Sequence, residues 1–543
     1  MESIKRVSAD ILLSGNAIFT GLEDMPTTGC IAIKGNRILA VGSYQDLENM
    51  VDVETKRYDF KDHLIVPGFH DSHIHLILAG LFQKCVNLQK AISEEEAAQM
   101  VKEYADSRPE DPWVLGFTWY HVFWKKKELP NRNSLDRLIS DRPVFLLNYE
   151  GHGAWVNSKA LAVCGIDRNT PNPSGGEIAK DNNGEPTGFL YENAMGLVSK
   201  FAYDIPKDMQ VSILRELMLN AAKKGVTSIC DMQPFIGIDM GEPQVYKDLE
   251  NKGELTIRIN FTPGLTENLE KVKKLRLNHH SGCVQFSGLK QFVDGVATTY
   301  TAYMIDAYSD CPDSSGSTVI PIERLKNQII KADKEGFRIR LHACGDGAVR
   351  LALDCFEAAS KLNGIRDSRH TIEHIENISS DDIGRFFELG VIASMQPEHL
   401  AMTETFADNP YPVRLGLDRI KLTWPFKSLM DAGAVVTLGT DCPVVDMDPL
   451  QGIYRAVSRV HNDGEPTGGW NPKEKISVAS ALLGYTQKPA YLEFRENELG
   501  TLQAGKLADI VVLDRNLFKI SEQEIRDTKV KMTMMDGKIV YEG

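Results

Sequence analysis

No two of the nine cysteines form a CxxC pair, and their count is odd. That argues against the paired framework of a small secreted domain and fits reduced thiols in a cytoplasm. No uninterrupted apolar stretch approaches the ~20 residues needed to cross a bilayer. The run Ile11-Leu12-Leu13 is too short for a secretory h-region and leads into Gly15-Asn16 rather than a small-residue cleavage site. A cytoplasmic protein with no membrane partner is therefore expected. Basic residues are in the minority: 61 Lys and Arg stand against 75 Asp and Glu, for a net charge of −14. A general nucleic-acid binder needs the opposite surface, so no nucleic-acid partner is expected. Internal repeats, low-complexity tracts and heptads are also missing.

What is present is a long, ordinary globular composition: 543 residues, 42% hydrophobic and 25% charged. That length exceeds one compact core unless the core is a large barrel. Both ends read as short strands broken by turns. Cys30–Ile33 and Arg37–Val41 flank Gly35-Asn36, and Asp536-Gly537 separates Lys529–Met535 from Lys538–Tyr541. One small β-domain built from both termini, residues 1–62 and 495–543, is expected.

Between them, apolar strand-like runs alternate with helical patterns, which implies βα units and a parallel sheet. Eight candidate strands are Leu64–Phe69, Val226–Asp231, Thr256–Phe261, Gly288–Val293, Arg338–His342, Thr371–His374, Val391–Met395 and Val435–Gly439. The expected fold class is α/β: a (β/α)8 TIM-like barrel over 63–494, a small β-sandwich from both termini, and an insertion after the first barrel strand. The insertion, about 81–210, would hang over the active-site face. Its aromatic cluster, Trp119, Tyr120, Phe123 and Trp124, reads as a hydrophobic core or as a lid over an apolar pocket.

In such a barrel the chemistry sits at the C-terminal strand ends. His73-Ile74-His75 follows the first apolar run, and residues two apart on a strand share a face, so both imidazoles converge on one point. Lys290 lies in the fourth strand. His342 ends the fifth, His374 the sixth, and Asp441 follows the eighth. Imidazole and carboxylate are donors for zinc and related divalent cations.

The order HxH, Lys, His, His, Asp resembles the amidohydrolase superfamily of metal-dependent hydrolases. Val66-Pro67-Gly68-Phe69-His70-Asp71-Ser72-His73-Ile74-His75 is similar to its opening signature, and the stretch Leu499–Asp514 is similar to its closing one. Gly151-His152-Gly153-Ala154-Trp155, Lys290–Gly295 and Ser394-Met395-Gln396-Pro397 resemble the branch that includes N-substituted formamide deformylases. The resemblance spans nearly the whole chain.

It implies that His73, His75 and Asp441 hold one divalent ion and His342 and His374 a second. Lys290, carbamylated by carbon dioxide, joins the two ions, and a metal-bridging hydroxide attacks the substrate. An unmodified Lys290 beside a single metal is the alternative. Zinc is the expected metal; manganese, iron and cobalt also suit such donors. Asp441 would be the catalytic residue, moving a proton from water to the leaving amine. His152, Gln396 and His399 are candidate substrate contacts. Asp71 and Asp294 are candidates for orienting ligand histidines from behind.

The expected function is hydrolysis of a C–N bond in a small amide- or formamide-type substrate, with a homodimer as a possible assembly. A deaminase or other hydrolytic chemistry on the same barrel is the alternative, and a non-catalytic scaffold a further one. Mononuclear deaminases of the superfamily carry a glutamate shortly after the fifth-strand histidine. Here His342 is followed by Ala343-Cys344-Gly345-Asp346.

Overall fold

A computed structural model describes residues 8–121, 124–149, 151, 153–173, 176–235, 238–403 and 405–543. The described chain falls into two compact units. One takes the chain up to His75 with Leu217–Met232 and Tyr246–Gly543; the other is Leu76–Glu216 with Gln233–Val245.

In the first unit the two ends of the chain share one sheet. Its order is Lys538–Glu542, Val530–Met535, Ile510–Leu513, Leu64–Pro67, Ile11–Ile18, Thr27–Lys34 and Arg37–Gly42, with Lys56–Asp59 beside Ile11–Ile18. The ends meet where Ile510–Leu513 runs antiparallel to Leu64–Pro67, Val511 opposite Val66. Both expected hairpins form, around Gly35-Asn36 and Asp536-Gly537. Side chains alternate across the strands. Ile31, Ile33, Ile65, Ile510 and Val512 build one apolar cluster, and Leu12, Cys30, Ala32 and Leu47 build another.

The same unit contains parallel strands β1 (Phe69–Ile74), β2 (Val226–Met232), β3 (Arg258–Thr262), β4 (Leu289–Phe292), β5 (Ile339–Ala343), β6 (Thr371–His374), β7 (Ile392–Met395) and β8 (Val436–Leu438). Pairing is parallel from β1 to β3 and from β4 to β8. Val284–Phe286, which leads toward β4, pairs with β3, and a bridge joins Gly264 to Lys290. A further bridge joins Ile74, at the end of β1, to Cys442, just beyond β8.

Helices connect several of these strands. Ile322–Lys334 buries Leu325, Ile329 and Ala332, a spacing of four and three that puts all three on one helical face. Asp346–Asn363 does the same with Val349, Ala352, Leu353 and Phe356.

The expected first strand, Leu64–Phe69, is in fact two. The apolar run serves both sheets: Leu64–Pro67 joins the terminal sheet and Phe69–Ile74 the parallel one. The crossing point is Gly68, where a Cβ would lie 2.3 Å from Thr227 Oγ1. No residue with a side chain fits so close an approach.

A buried ion pair also fastens β3 to the terminal sheet. Arg258 Nε and Nη2 donate to the two carboxylate oxygens of Asp509 at 2.9 and 3.0 Å, and Nη2 also reaches Asp536 Oδ1 at 3.0 Å. Arg258 and Asp509 are both buried. Removing Asp509 leaves the buried Arg258 with the partly exposed Asp536 as its one remaining carboxylate partner among the described residues. Asp509→Ala is expected to destabilise this unit by about 3–5 kcal/mol, read as a lower denaturation midpoint by circular dichroism. An unchanged midpoint would show the pair to be dispensable.

In the second unit, six strands order as Gly176–Lys180, Pro186–Glu192, Gly153–Val156, Val144–Asn148, Val114–Trp119 and Val86–Asn87. Trp119 and Trp124 are buried and pack on Trp155, with ring centroids 6.1 and 6.2 Å from it. The Trp119 indole N–H donates to Leu146 O at 2.9 Å. These two tryptophans are therefore core residues of this unit. Phe123 lies outside the described residues.

Candidate metal centre

His73 is held on three sides. Its backbone N–H donates to Asp71 Oδ1 at 3.2 Å, and its carbonyl accepts from Asp441 N at 2.7 Å. Its ring Nδ1 lies 2.7 Å from Glu373 Oε2. Nε2 is then left facing Asp441 Oδ1 at 3.3 Å and Lys290 Nζ at 3.5 Å. His75, whose N–H donates to Cys442 O at 2.8 Å, sets its own Nε2 3.3 Å from the same Asp441 oxygen.

The second oxygen of Asp441 faces His399 Nε2 at 3.7 Å and His374 Nδ1 at 4.0 Å. The His374 ring lies between those of His73 and His342, with centroids 4.9 and 4.3 Å away. His73, His75, His374, His399 and Asp441 thus converge at or just beyond the C-terminal ends of β1, β6, β7 and β8, with Lys290 reaching them from within β4 and His342 of β5 in ring contact.

Backbone strain marks the same place. His374 and Asp441 have φ of +77° and +64°. For residues with a side chain this left-handed region costs of the order of 1–3 kcal/mol and persists where the surroundings enforce it. Here the Asp441 N–H is tied to β1, and the amide after His374 donates to Ala343 O at 3.1 Å.

The donors converge without satisfying one another. Asp441 Oδ1, His374 Nδ1 and His399 Nε2 are buried and make no hydrogen bond. Buried polar atoms are ordinarily paired, so donors left this way fit a site that takes a cation. Donor atoms of His73, His75 and Asp441 all lie within 4.8 Å of one another, as do those of His374, His399 and Asp441. Imidazole nitrogen with carboxylate oxygen is the donor set of zinc and its neighbours.

The electrostatics favour neutral imidazoles. Burial pushes His73 down to about 4, with Lys290 adding to the effect, and pushes His342 down to about 3. His374 is held well below its usual range by burial and by His342. Burial acts to raise the Asp441 pKa, but the facing histidines outweigh it and hold the carboxyl well below its usual range. Lys290 is buried beside Leu289 with the Phe292 ring 5.3 Å from Nζ, and burial lowers it to about 8.

Other expected site residues fall as follows. His342 Nε2 lies 3.3 Å from Gly295 O, 3.4 Å from Cys344 Sγ and 3.9 Å from Asp294 Oδ1. Asp71 accepts from the backbone amides of His73 and Thr440 and from the Thr440 hydroxyl, so it fastens β1 to the segment after β8. Burial raises it to about 6 against those bonds. Asp294 accepts from the amides of Tyr303, Cys344 and Gly345, and burial raises it to about 8. Gln396 is buried, its Nε2 3.5 Å from Ser394 O and its Oε1 unbonded. His152 lies outside the described residues.

Two carboxylates outside the expected site residues face these histidines. Glu373 backs His73. Glu376 lies 3.9 Å from His399 Nδ1 and accepts from the Tyr411 hydroxyl. Glu373 had a readable signal: it shares strand periodicity with Thr371, next to His374. Glu376 and Tyr411 lie in loops and short helices, where no periodicity reveals facing.

Residues 56–541 match the model of the Amidohydrolase family. The chain is 33% identical to Protein LONG AFTER FAR-RED 3 of Arabidopsis thaliana over 98% of its own length and 92% of that protein. It is 26% identical to N-substituted formamide deformylase of Arthrobacter pascens, with 94% of each covered. Among solved structures, an uncharacterized metal-dependent hydrolase from Pyrococcus horikoshii matches with a TM-score of 0.78 at 25% identity, covering 94% of this chain and 99% of that one.

Proposed function

The chain belongs to the amidohydrolase family, and from that membership we propose that it is a metal-dependent hydrolase cleaving the C–N bond of a small amide- or formamide-type substrate. The observation that carries this reading is the convergence of His73, His75, His374 and Asp441 on one point with several of their buried donor atoms unbonded. The relatives support it: one is an N-substituted formamide deformylase and another a metal-dependent hydrolase.

The fold we infer around the site is a (β/α)8 barrel over 63–494, with an insertion at about 81–210 and a β-sandwich from 1–62 and 495–543. Support comes from the chain-order pairing within β1–β3 and within β4–β8, the isolated Gly264–Lys290 and Ile74–Cys442 bridges, and the sheet shared by both termini. Among the described residues no helix is long and apolar enough to cross a membrane.

His73, His75 and Asp441 would hold one divalent cation, most simply zinc, and His342 and His374 another. Lys290, as a carbamate, would join them. Bound cations of this kind supply Lewis-acid polarisation of a carbonyl and lower the pKa of water from ~15.7 toward neutrality.

The chain's own residues supply the rest. Asp441 Oδ1 faces Nε2 of His73 and of His75 and would join them in holding the cation, which leaves Oδ2 to take a proton from the attacking water. The same oxygen then returns it to the departing nitrogen, which leaves poorly as an anion. His399, 3.7 Å from Oδ2 and backed by Glu376, lines the approach and would contact the substrate. Gln396 and His152 are further candidate contacts. Asp71 holds the β1 and β8 strand ends in register.

Metal analysis of the purified protein tests the reading. About two equivalents per chain support it, about one points to a mononuclear enzyme, and none to a scaffold. Turnover of the metal-loaded protein on N-formyl, N-acyl and cyclic amides then identifies the substrate.

A further inference from the structure

A buried charged column runs behind His73. Glu373 Oε2 lies 2.7 Å from His73 Nδ1, and its other oxygen accepts from Arg340 Nε at 2.7 Å. Arg340 also donates to Ser72 O at 2.6 Å and reaches Glu493 Oε1 at 3.4 Å, while Glu493 Oε2 accepts from Arg338 Nη2 at 2.6 Å. His73, Arg340 and Glu373 are fully buried. Bulk solvent does not reach them, so a mismatched hydrogen bond there is costly.

This column fixes more than a position. An ionised carboxylate can only accept, so His73 Nδ1 must carry the proton. The lone pair then resides on Nε2, the nitrogen that faces Asp441, while the Lys290 ammonium or amine can donate to it. A neutral imidazole binds a cation only through its unprotonated nitrogen. We propose that Glu373, itself aligned by Arg340, is the positioning residue that holds His73 in its Nδ1–H tautomer and so makes Nε2 available as a ligand. This rests on the metal-site reading above for its purpose, but not for its geometry.

The arrangement makes one substitution unusually informative. In Glu373→Gln the side chain keeps its shape but gains an NH2. Arg340 Nε–H demands an acceptor on its side, so the amide oxygen turns to Arg340 and the NH2 to His73. Nδ1 must then accept, and its proton passes through solvent exchange to Nε2, blocking the ligand position.

The test uses the whole chain labelled with [15N]histidine, with the His73→Ala spectrum assigning His73. In metal-free wild type the expected result is a protonated Nδ1 and a bare Nε2. In Glu373→Gln the two are exchanged, and zinc affinity, read by chelator competition, falls about 10- to 100-fold. Adding Arg340→Met frees the amide to turn back, so the double variant recovers the Nδ1–H tautomer and part of the zinc affinity.

A protonated Nε2 in metal-free wild type overturns the proposal with no variant needed. So does a Glu373→Gln protein that loses affinity with its tautomer unchanged, since that marks a merely structural role. Zinc binding that ignores His73→Ala would instead sink the metal-site reading, leaving the tautomer result to judge Glu373 by itself.

Discussion

Asp441→Asn is expected to remove hydrolysis, by about 100- to 10,000-fold or more, while far-UV circular dichroism stays native. Asp441 Oδ1 sits 3.3 Å from Nε2 of both His73 and His75, and Oδ2 faces His399 and His374. An amide replaces one oxygen with a group that neither ligates a cation nor takes a proton. His73→Ala should match it in effect, because it deletes the imidazole at the centre of the cluster. Neither change removes a strand-forming residue of the terminal sheet or the Asp71 contacts that hold the strand ends. Wild-type-like turnover by either variant would refute the proposed chemistry.

The second large effect belongs to Lys290. An ammonium cannot ligate a cation, so the proposal needs a neutral amine that captures carbon dioxide. Burial lowers Lys290 to about 8. At pH 7 about a tenth of such amines are neutral, against roughly one in 2,500 for a lysine at its usual ~10.4. The sign is fixed: a base with a lowered pKa gains its neutral form as pH rises. Reactivation of metal-free, carbon-dioxide-stripped protein by zinc under a fixed pressure of carbon dioxide should therefore quicken up to about pH 8 and level off above it. Lys290→Ala should lose both metal and activity, with partial return on adding formate or acetate, which can stand in the vacated space as a two-oxygen anion. A Lys290→Ala protein that binds as much metal as wild type would rule out the carbamate.

Most of the parallel strands were legible because apolar runs, turn residues and helical spacing agree on them. Val226–Met232 and Thr371–His374 are cases where local pattern and tertiary role coincide. Leu64–Phe69 was not legible as two strands, because an unbroken apolar run carries no mark of which sheet each half covers; only the approach of Thr227 to Gly68 shows the crossing. The HxH pair, Lys290, His342, His374 and Asp441 could be read as candidates from residue type at strand ends. Asp71 and Asp294 were recognisable as acidic neighbours of the site, yet their bonds run chiefly to backbone amides, a distinction that residue type does not encode. Glu376 and Tyr411 depended on loop geometry and left no periodic trace.

The contact between the segment after β8 and β1 is close enough to shape how such a chain can change. A Cβ on Gly439 would meet His73 N at 2.7 Å and Asp71 Oδ1 at 2.9 Å. The strand ends bearing His73 and Asp441 are thus clamped by main chain and by Asp71. Residues on surrounding loops can vary in size and polarity without shifting that clamp. Divergence in what is cleaved can therefore accumulate at the rim while the ligand geometry stays constant, which is how one scaffold comes to serve many substrates.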